Sequence, residues 1–147
     1  HYPHWNLHGE PRLSIQKSLE SQIINKPRLS MQPIPFQTIN WENVEITKHA
    51  GEQGMAYWRT VNHEGLRVRM VEYSPGYIAD HWCERGHIIF CLQGQLITEL
   101  SDGTSHILKK NMSYHVSDQM SKHRSSTKEG ALLFIIDGEF LNLNLKT

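Results

Sequence analysis

Stretches that alternate between apolar and polar residues, or that are rich in β-branched and aromatic residues, follow one another from residue 56 to residue 137. Within residues 66–73, leucine, valine and methionine alternate with charged positions, and a period of two is typical of a β-strand. Glycine-containing pieces such as Gln93-Gly94 interrupt the pattern at short intervals, as hairpin turns do. Strands are predicted over residues 56–62, 66–73, 79–83, 87–92, 95–100, 104–108, 112–116, 123–127 and 131–137. Many short strands at this spacing predict an all-β sandwich or barrel.

The first 30 residues do not continue this pattern, because His, Pro, Trp and Ser are mixed there without a sustained apolar period. We expect a poorly ordered N-terminal extension over residues 1–30, one barrel domain over residues 31–140 and a C-terminal tail over residues 141–147. Met31 opens a segment that is typical of the start of a folded domain. Residues 1–30 are therefore interpreted as upstream translation or a cloning remnant, with a native extension as the alternative.

Composition and charge argue against several classes of partner. The chain has 15 Lys and Arg against 15 Asp and Glu, so its net charge gives no reason to expect nucleic acid or an anionic membrane. No apolar run reaches the roughly 20 residues of a membrane span, so a soluble protein is expected. Its 2 cysteines are too few for a disulfide framework, which favours the reducing cytoplasm.

Metal-binding side chains are concentrated on one predicted strand and the turn that follows it. Residues two apart on a strand point to the same face, so His81 and Cys83 should face the same way. A tight turn at residues 84–86 would then fold His87 back beside them. His123 is a natural additional ligand, from a strand that crosses the same face of the barrel. The spacing of these donors predicts a metal site.

Several neighbouring residues are interpreted without metal. Trp82 should point away from the site, against the outer layer or against the partner subunit of a homodimer. Cys91 lies among apolar residues and is expected in the core, where a free cysteine behaves as a small apolar side chain. Arg67 and Arg69 are expected on a solvated strand face, with contact to an anionic substrate as the alternative.

The residues from Gly76 to Gly94 resemble the first conserved motif of the cupin superfamily. In that motif a glycine is followed by a His-x-His pair, a glutamate and a second glycine. His81 stands at the first histidine position, Cys83 at the second, and His87 at the glutamate position. The resemblance implies a single-domain cupin-type β-barrel, a double-stranded β-helix or jelly roll.

The segment 111–123 resembles a degenerate second cupin motif, in which His123 is the ligand. A closer resemblance, through residues 80–83 and 114–127, is to a bacterial group, the DHCW-motif cupin fold proteins. It covers roughly residues 31–137, which is most of the chain.

Two departures from the cupin motif change the site that the resemblance implies. A cysteine replaces one histidine and a histidine replaces the glutamate, so the implied ligands are His81, His87 and His123, with Cys83 either a further ligand or not. Imidazole and thiolate favour zinc or another borderline ion, and iron, nickel or copper also fit three histidines. A bound Cys83 would close a four-coordinate site of the structural kind, whereas an unbound one would leave a position open for water or substrate.

The resemblance implies two classes of function. Cupins include dioxygenases, isomerases and lyases, which favours a metal-dependent enzyme acting on a small molecule inside the barrel. Glu84 and Tyr114 are then the candidates for proton transfer. The alternative is a non-catalytic module that binds a small molecule or metal, such as a sensor. A barrel that has lost its metal, with the imidazoles hydrogen-bonded inside, is the third interpretation.

Overall fold

The structure, a computed structural model, describes residues 32–142. The predicted extension over residues 1–30 lies outside the described residues, as do residues 143–147 of the predicted tail. In the described part of the chain, no helix has the length and apolar character needed to cross a membrane.

The described residues form antiparallel strands, with a 3-10 turn at Trp41–Asn43 before them and another at Glu139–Leu141 after them. Every strand pair is antiparallel, so neighbouring strands run in opposite directions throughout. The strands are β1 (Ile46–Ala50), β2 (Met55–His63), β3 (Leu66–Tyr73), β4 (His87–Leu100), β5 (Ser105–Lys109), β6 (Ser113–Val116), β7 (His123–Ser126) and β8 (Ala131–Gly138).

The long strand β4 belongs to two sheets. Its first half pairs with β8 and β6, and the sheet continues from β8 through β3 and β2 to β1. Its second half pairs with β5 on one side and β7 on the other. A strand that serves both sheets holds their inner faces against one core. The prediction of an all-β, jelly-roll architecture is therefore confirmed.

The core lies between these inner faces and is built from alternate residues of the strands. Strand β8 shows the period most clearly, since every second residue from its start is buried. Cys91 is fully buried, as predicted. The apolar side chains of the core come from Val71, Ile89, Cys91, Leu96, Leu108, Ala131, Leu133 and Ile135.

The predicted turn at Gln93-Gly94 is wrong, because β4 runs through it. The pairing with β8 shifts between Cys91 and Gln93, which marks a β-bulge. Gly94 has a φ of 75°, and a Cβ there would collide with the carbonyl oxygen of Gly130. Gly94 therefore permits a β-bulge inside one strand and is not a turn between two strands.

The predicted strand over residues 79–83 is also wrong as a continuous element. The amide of Ala79 donates to the carbonyl of Ser125 at 2.9 Å, and Cys83 and His123 exchange two backbone hydrogen bonds of 2.8 and 2.9 Å. The chain thus advances four residues from Ala79 to Cys83, while the strand opposite advances only two, from Ser125 back to His123. The chain bulges outward at residues 80–82 to absorb the difference.

The strand β1 was not predicted. All of its residues are exposed, so no apolar alternation marks it in the sequence. It is held by backbone pairing with β2 from Ile46 opposite Arg59 to Ala50 opposite Met55.

The alternation in β3 was predicted correctly but with the wrong face inward. Arg69 is only 4% exposed, so the solvated face expected for it is wrong. Its side chain lies inside the barrel beside Asp137 of β8, which supplies the opposite charge. Val68 and Met70, the apolar residues that flank Arg69, lie on the other face of the sheet and are partly buried there.

Candidate metal centre

Three side chains with metal-binding atoms meet at one end of the barrel. Cys83 follows the outward bulge, His87 is the first residue of β4, and His123 is the first residue of β7. The backbone pairing of Cys83 with His123 sets these two side by side. One ligand atom from each residue lies within 4.8 Å of the others. The structure therefore brings together two of the predicted histidines and the cysteine.

The turn before β4 is fixed by the loop that precedes β7. The amide of Gly86 donates to the Asp118 carboxylate at 2.6 Å, and the amide of Gln119 donates to the carbonyl of Glu84 at 2.7 Å. These bonds hold the start of β4 in place. They therefore position His87, at the start of that strand, close to Cys83.

His87 is oriented by a buried carboxylate. Its Nδ1–H donates to Oδ1 of Asp137 at 2.5 Å, which leaves Nε2 as the ring nitrogen that faces the cluster. That Nε2 lies 3.8 Å from Sγ of Cys83. Histidines that bind metals are usually held in this way, with the second ring nitrogen donating to a carboxylate or carbonyl.

His123 is oriented in the same sense by a carbonyl group. Its Nδ1 lies 3.1 Å from the carbonyl oxygen of Ser121, which only accepts, so Nδ1 carries the proton. Its Nε2 is buried and has no hydrogen-bond partner among the described residues. Burial lowers the pKa of His123, so the ring is neutral at pH 7 and Nε2 has a free lone pair. An unpartnered buried lone pair costs free energy, and a metal ion would satisfy it.

Cys83 is half-buried, and the pKa of its thiol is lowered. The main cause is the contact between Sγ and Nε2 of His87, where one proton can be shared between the two atoms in the absence of an ion, and the backbone N–H of Arg85, 3.4 Å from Sγ, acts in the same direction. Burial opposes both. The thiolate is the form of cysteine that binds metal ions, so the donor set of one thiolate and two neutral imidazoles fits a borderline ion such as zinc.

Asp137, which holds His87, is the centre of a charge network that the sequence analysis did not find. Arg67 Nη2 lies 2.5 Å from Oδ2 of this carboxylate, and Arg69 Nη2 lies 3.1 Å from the same oxygen. Burial alone would raise the pKa of Asp137, but the hydrogen bond from His87 and the two guanidinium charges outweigh it and lower the pKa. The signal in the sequence was a carboxylate at an inward position of the otherwise apolar strand β8.

Two of the predicted site residues lie outside the cluster. The His81 side chain is 71% exposed, and its Nδ1 bonds the Asp80 carboxylate at 2.6 Å. It lines the mouth of the adjoining cavity but does not join the three ligand atoms. The Glu84 side chain is exposed, 3.7 Å from Nζ of Lys122, and does not line that cavity.

A cavity of about 300 Å³ adjoins the cluster and is lined by all three of its side chains. Tyr114 reaches the same cavity from β6, with its ring centroid 6.1 Å from that of His123. Its hydroxyl is buried without a hydrogen-bond partner among the described residues, and burial raises its pKa. At neutral pH the hydroxyl keeps its proton and is available as a donor to a molecule in the cavity.

A second cavity, of about 230 Å³, lies on the other side of two of these residues. Tyr114 and His123 line both cavities. The walls of the second one include the apolar side chains of Leu100, Leu108 and Val116. The space around the cluster is therefore polar on one side and largely apolar on the other.

Comparisons with protein-family models and with curated proteins gave no match. Solved structures do match. An RmlC-like cupin from Shewanella frigidimarina has a TM-score of 0.55 and 16% identity, over 71% of this chain and 91% of that one. A predicted oxalate decarboxylase from Thermotoga maritima has a TM-score of 0.61 and 9% identity, over 69% of this chain and 98% of that one. A cupin sugar phosphate isomerase from Silicibacter pomeroyi has a TM-score of 0.56 and 12% identity, over 69% of this chain and 75% of that one.

At these identities the likeness shows the fold, which is the cupin fold expected from the motif resemblance. The resemblance to the DHCW-motif group remains a prediction.

Proposed function

We propose that this chain binds a divalent transition ion through Cys83, His87 and His123, and that it is a metal-dependent enzyme acting on a small molecule inside the barrel. The observation that carries the proposal is the common orientation of the two imidazoles. Each Nδ1–H donates away from the cluster, to Asp137 or to the Ser121 carbonyl, and this leaves both Nε2 atoms facing the place of an ion, which would replace any proton held there.

Three protein ligands leave one position of a tetrahedral ion open. A bound ion would act there as a Lewis acid or would activate a water or oxygen ligand. His81 is a candidate for the fourth position, because it stands at the mouth of the cavity and needs only to leave Asp80. A molecule in the cavity is the other candidate.

The chain's own groups support a reaction more than simple storage of an ion. The Tyr114 hydroxyl is protonated and has no partner within residues 32–142, so it can donate a hydrogen bond to a bound molecule. The burial of His87 and His123 keeps bulk water from most of the cluster. Glu84 has no part in this proposal because it does not line the cavity.

Metal analysis of protein purified without nickel affinity tests the binding step. We expect about one equivalent of a transition ion, or stoichiometric uptake of zinc by chelated protein in titration calorimetry. Cobalt(II) should give thiolate-to-metal charge-transfer absorption if Cys83 is a ligand.

His87→Ala and His123→Ala should each weaken zinc binding severely. The matched control is His115→Ala, since His115 is exposed on β6 and bonds only Ser113 among the described residues. Equal zinc affinity in all three variants would overturn the proposed site.

The alternative is a module that binds a metal or a small molecule without catalysis. Metal-loaded protein incubated with a panel of small metabolites, with and without oxygen, separates the two by mass spectrometry. Conversion of a panel member that His123→Ala does not carry out supports the enzyme. A molecule that is retained unchanged in the cavity supports the module.

A further inference from the structure

The cavity beside the cluster is lined by positive charge. Arg67, Arg69 and Arg85 are among its lining residues, and no Asp or Glu is among them in the part of the chain that the structure describes. A cavity with charge of one sign raises the local concentration of ions of the other sign.

Arg69 is the most buried of these arginines, and its donors are not all used. Its side chain is 5% exposed. Nη2 bonds Asp137, but Nε is buried without a partner among the described residues. The guanidinium carbon lies 4.3 Å from the ring centroid of Trp58, so the group is held on an aromatic face as well.

The charge of this pair is not balanced within the barrel. Among residues 32–142, the ion pairs of Arg67 and Arg69 both go to the carboxylate of Asp137, which leaves one guanidinium charge in excess of the carboxylate charge. Burial is the main cause that lowers the pKa of Arg69, and the charge of Arg67 acts in the same direction. An anion in the cavity would offset both the burial of the Arg69 charge and its repulsion by Arg67, because buried charges are tolerated when they are paired.

We propose that the cavity binds a small organic anion, and that Arg69 recognises its oxyanion group, a carboxylate or a phosphate. Guanidinium groups bind both through paired hydrogen bonds. The volume of about 300 Å³ is at the small end for ligand sites. Tyr73 and Tyr77, stacked with ring centroids 4.1 Å apart, line the same cavity and suit a flat apolar body. The inference rests on the proposed function, since it names the substrate class of that site.

Three probes of similar size test the proposal on the wild-type protein by titration calorimetry. Phenylacetate and phenyl phosphate carry the two oxyanions, and phenylacetamide is the neutral control. At least one anion should bind roughly tenfold or more tightly than the amide, the difference expected for a hydrogen bond to a charged group. The tighter anion identifies the head group. Equal affinity for the amide, or no binding of either anion, would overturn the proposal.

Variants then assign the contact. Arg69→Gln should lose the tenfold preference for the anion, whereas Arg59→Gln should keep it. Arg59 also has a buried Nε with no partner in the described part of the chain, but it does not line the cavity. If Arg69→Gln does not fold, the contact is tested on the wild-type protein by the NMR signals of its arginine Nε–H groups. A buried Nε–H signal that shifts on saturation with the anion supports the contact, and unchanged signals refute it.

The titrations are made on both chelated and zinc-loaded protein, so that the two proposals can fail separately. Asp137 and Trp58 hold Arg69 without an ion, so we expect the anion to bind in both forms. Zinc binding without anion binding would refute this inference and keep the metal site. Anion binding by a protein that takes up no metal would keep the inference and refute the metal site.

Discussion

Replacing Asp137 by asparagine tests whether the buried carboxylate supports both the fold and the candidate metal centre. The substitution keeps the shape of the side chain and an oxygen that can accept from His87, but it removes the charge. Asp137 is 3% exposed and contacts two guanidinium groups and one imidazole. Its loss leaves Arg67 and Arg69 without their common counter-ion.

The expected loss of stability in Asp137→Asn depends on whether each arginine can reach water once its counter-ion is gone. Removal of one partner from a buried ion pair costs about 3 to 5 kcal/mol. The Arg67 side chain is 27% exposed and can turn toward water, but that of Arg69 is 5% exposed and cannot. We therefore expect a loss of about 3 kcal/mol, at the lower end of that range. With a urea m-value of about 2 kcal/mol per M, the unfolding midpoint should fall by about 1.5 M.

The effect on metal affinity is separate and is measured on folded protein. Loss of a carboxylate that orients a ligating histidine costs about 10- to 100-fold in affinity. Zinc titration of Asp137→Asn in the absence of denaturant should show a loss in that range. Asp102→Asn is the control, because Asp102 is an exposed residue that caps a turn and asparagine can accept the same bonds. Unchanged stability and unchanged zinc affinity in Asp137→Asn would refute the role given to this carboxylate.

Three further substitutions test the site. Cys83→Ser should reduce zinc affinity and abolish the charge-transfer absorption of the cobalt form, and unchanged spectra would show that the sulfur is not a ligand. His81→Ala should reduce zinc affinity much less than His87→Ala if the fourth position is open; equal losses in titration would instead mean that His81 closes the site. Tyr114→Phe removes a buried hydroxyl without a partner among the described residues, so urea unfolding should show equal or greater stability, by up to about 1 kcal/mol. The same variant should bind cavity ligands more weakly, and wild-type affinity would show that the hydroxyl is not a donor.

Much of the candidate site could be predicted because the residues that could hold a metal ion follow the cupin motif. Cys83, His87 and His123 were all proposed from the sequence, and the structure brings their ligand atoms within 4.8 Å of one another. Short-range spacing was sufficient for Cys83 and His87, which are joined by one turn. His123 was a candidate from a crossing strand, and only the second motif gave it a definite place, because its neighbour in space is distant along the chain.

The charge network could not be predicted in the same way. Alternation along β3 shows that two faces differ, but it does not show which face is inside. Arg69 lies inside only because Asp137 of β8 supplies the counter-charge. That pairing depends on the register of two strands 68 residues apart, which a reading of local pattern does not contain.

The difference for His81 has a geometric cause that also bears on the function. An unbroken strand over residues 79–83 would put His81 and Cys83 on one face and close the site with four protein ligands. Because the chain bulges between its bonds to Ser125 and His123, His81 turns to the surface and bonds Asp80. β-Bulges recur beside active sites, where they redirect a side chain. The cost of this one is an interrupted ladder, and on a bound ion it would leave a position open, beside a cavity lined by three arginines. An open position next to the proposed oxyanion site is what a substrate-binding metal centre would require, whereas a structural zinc site would gain from the regular strand.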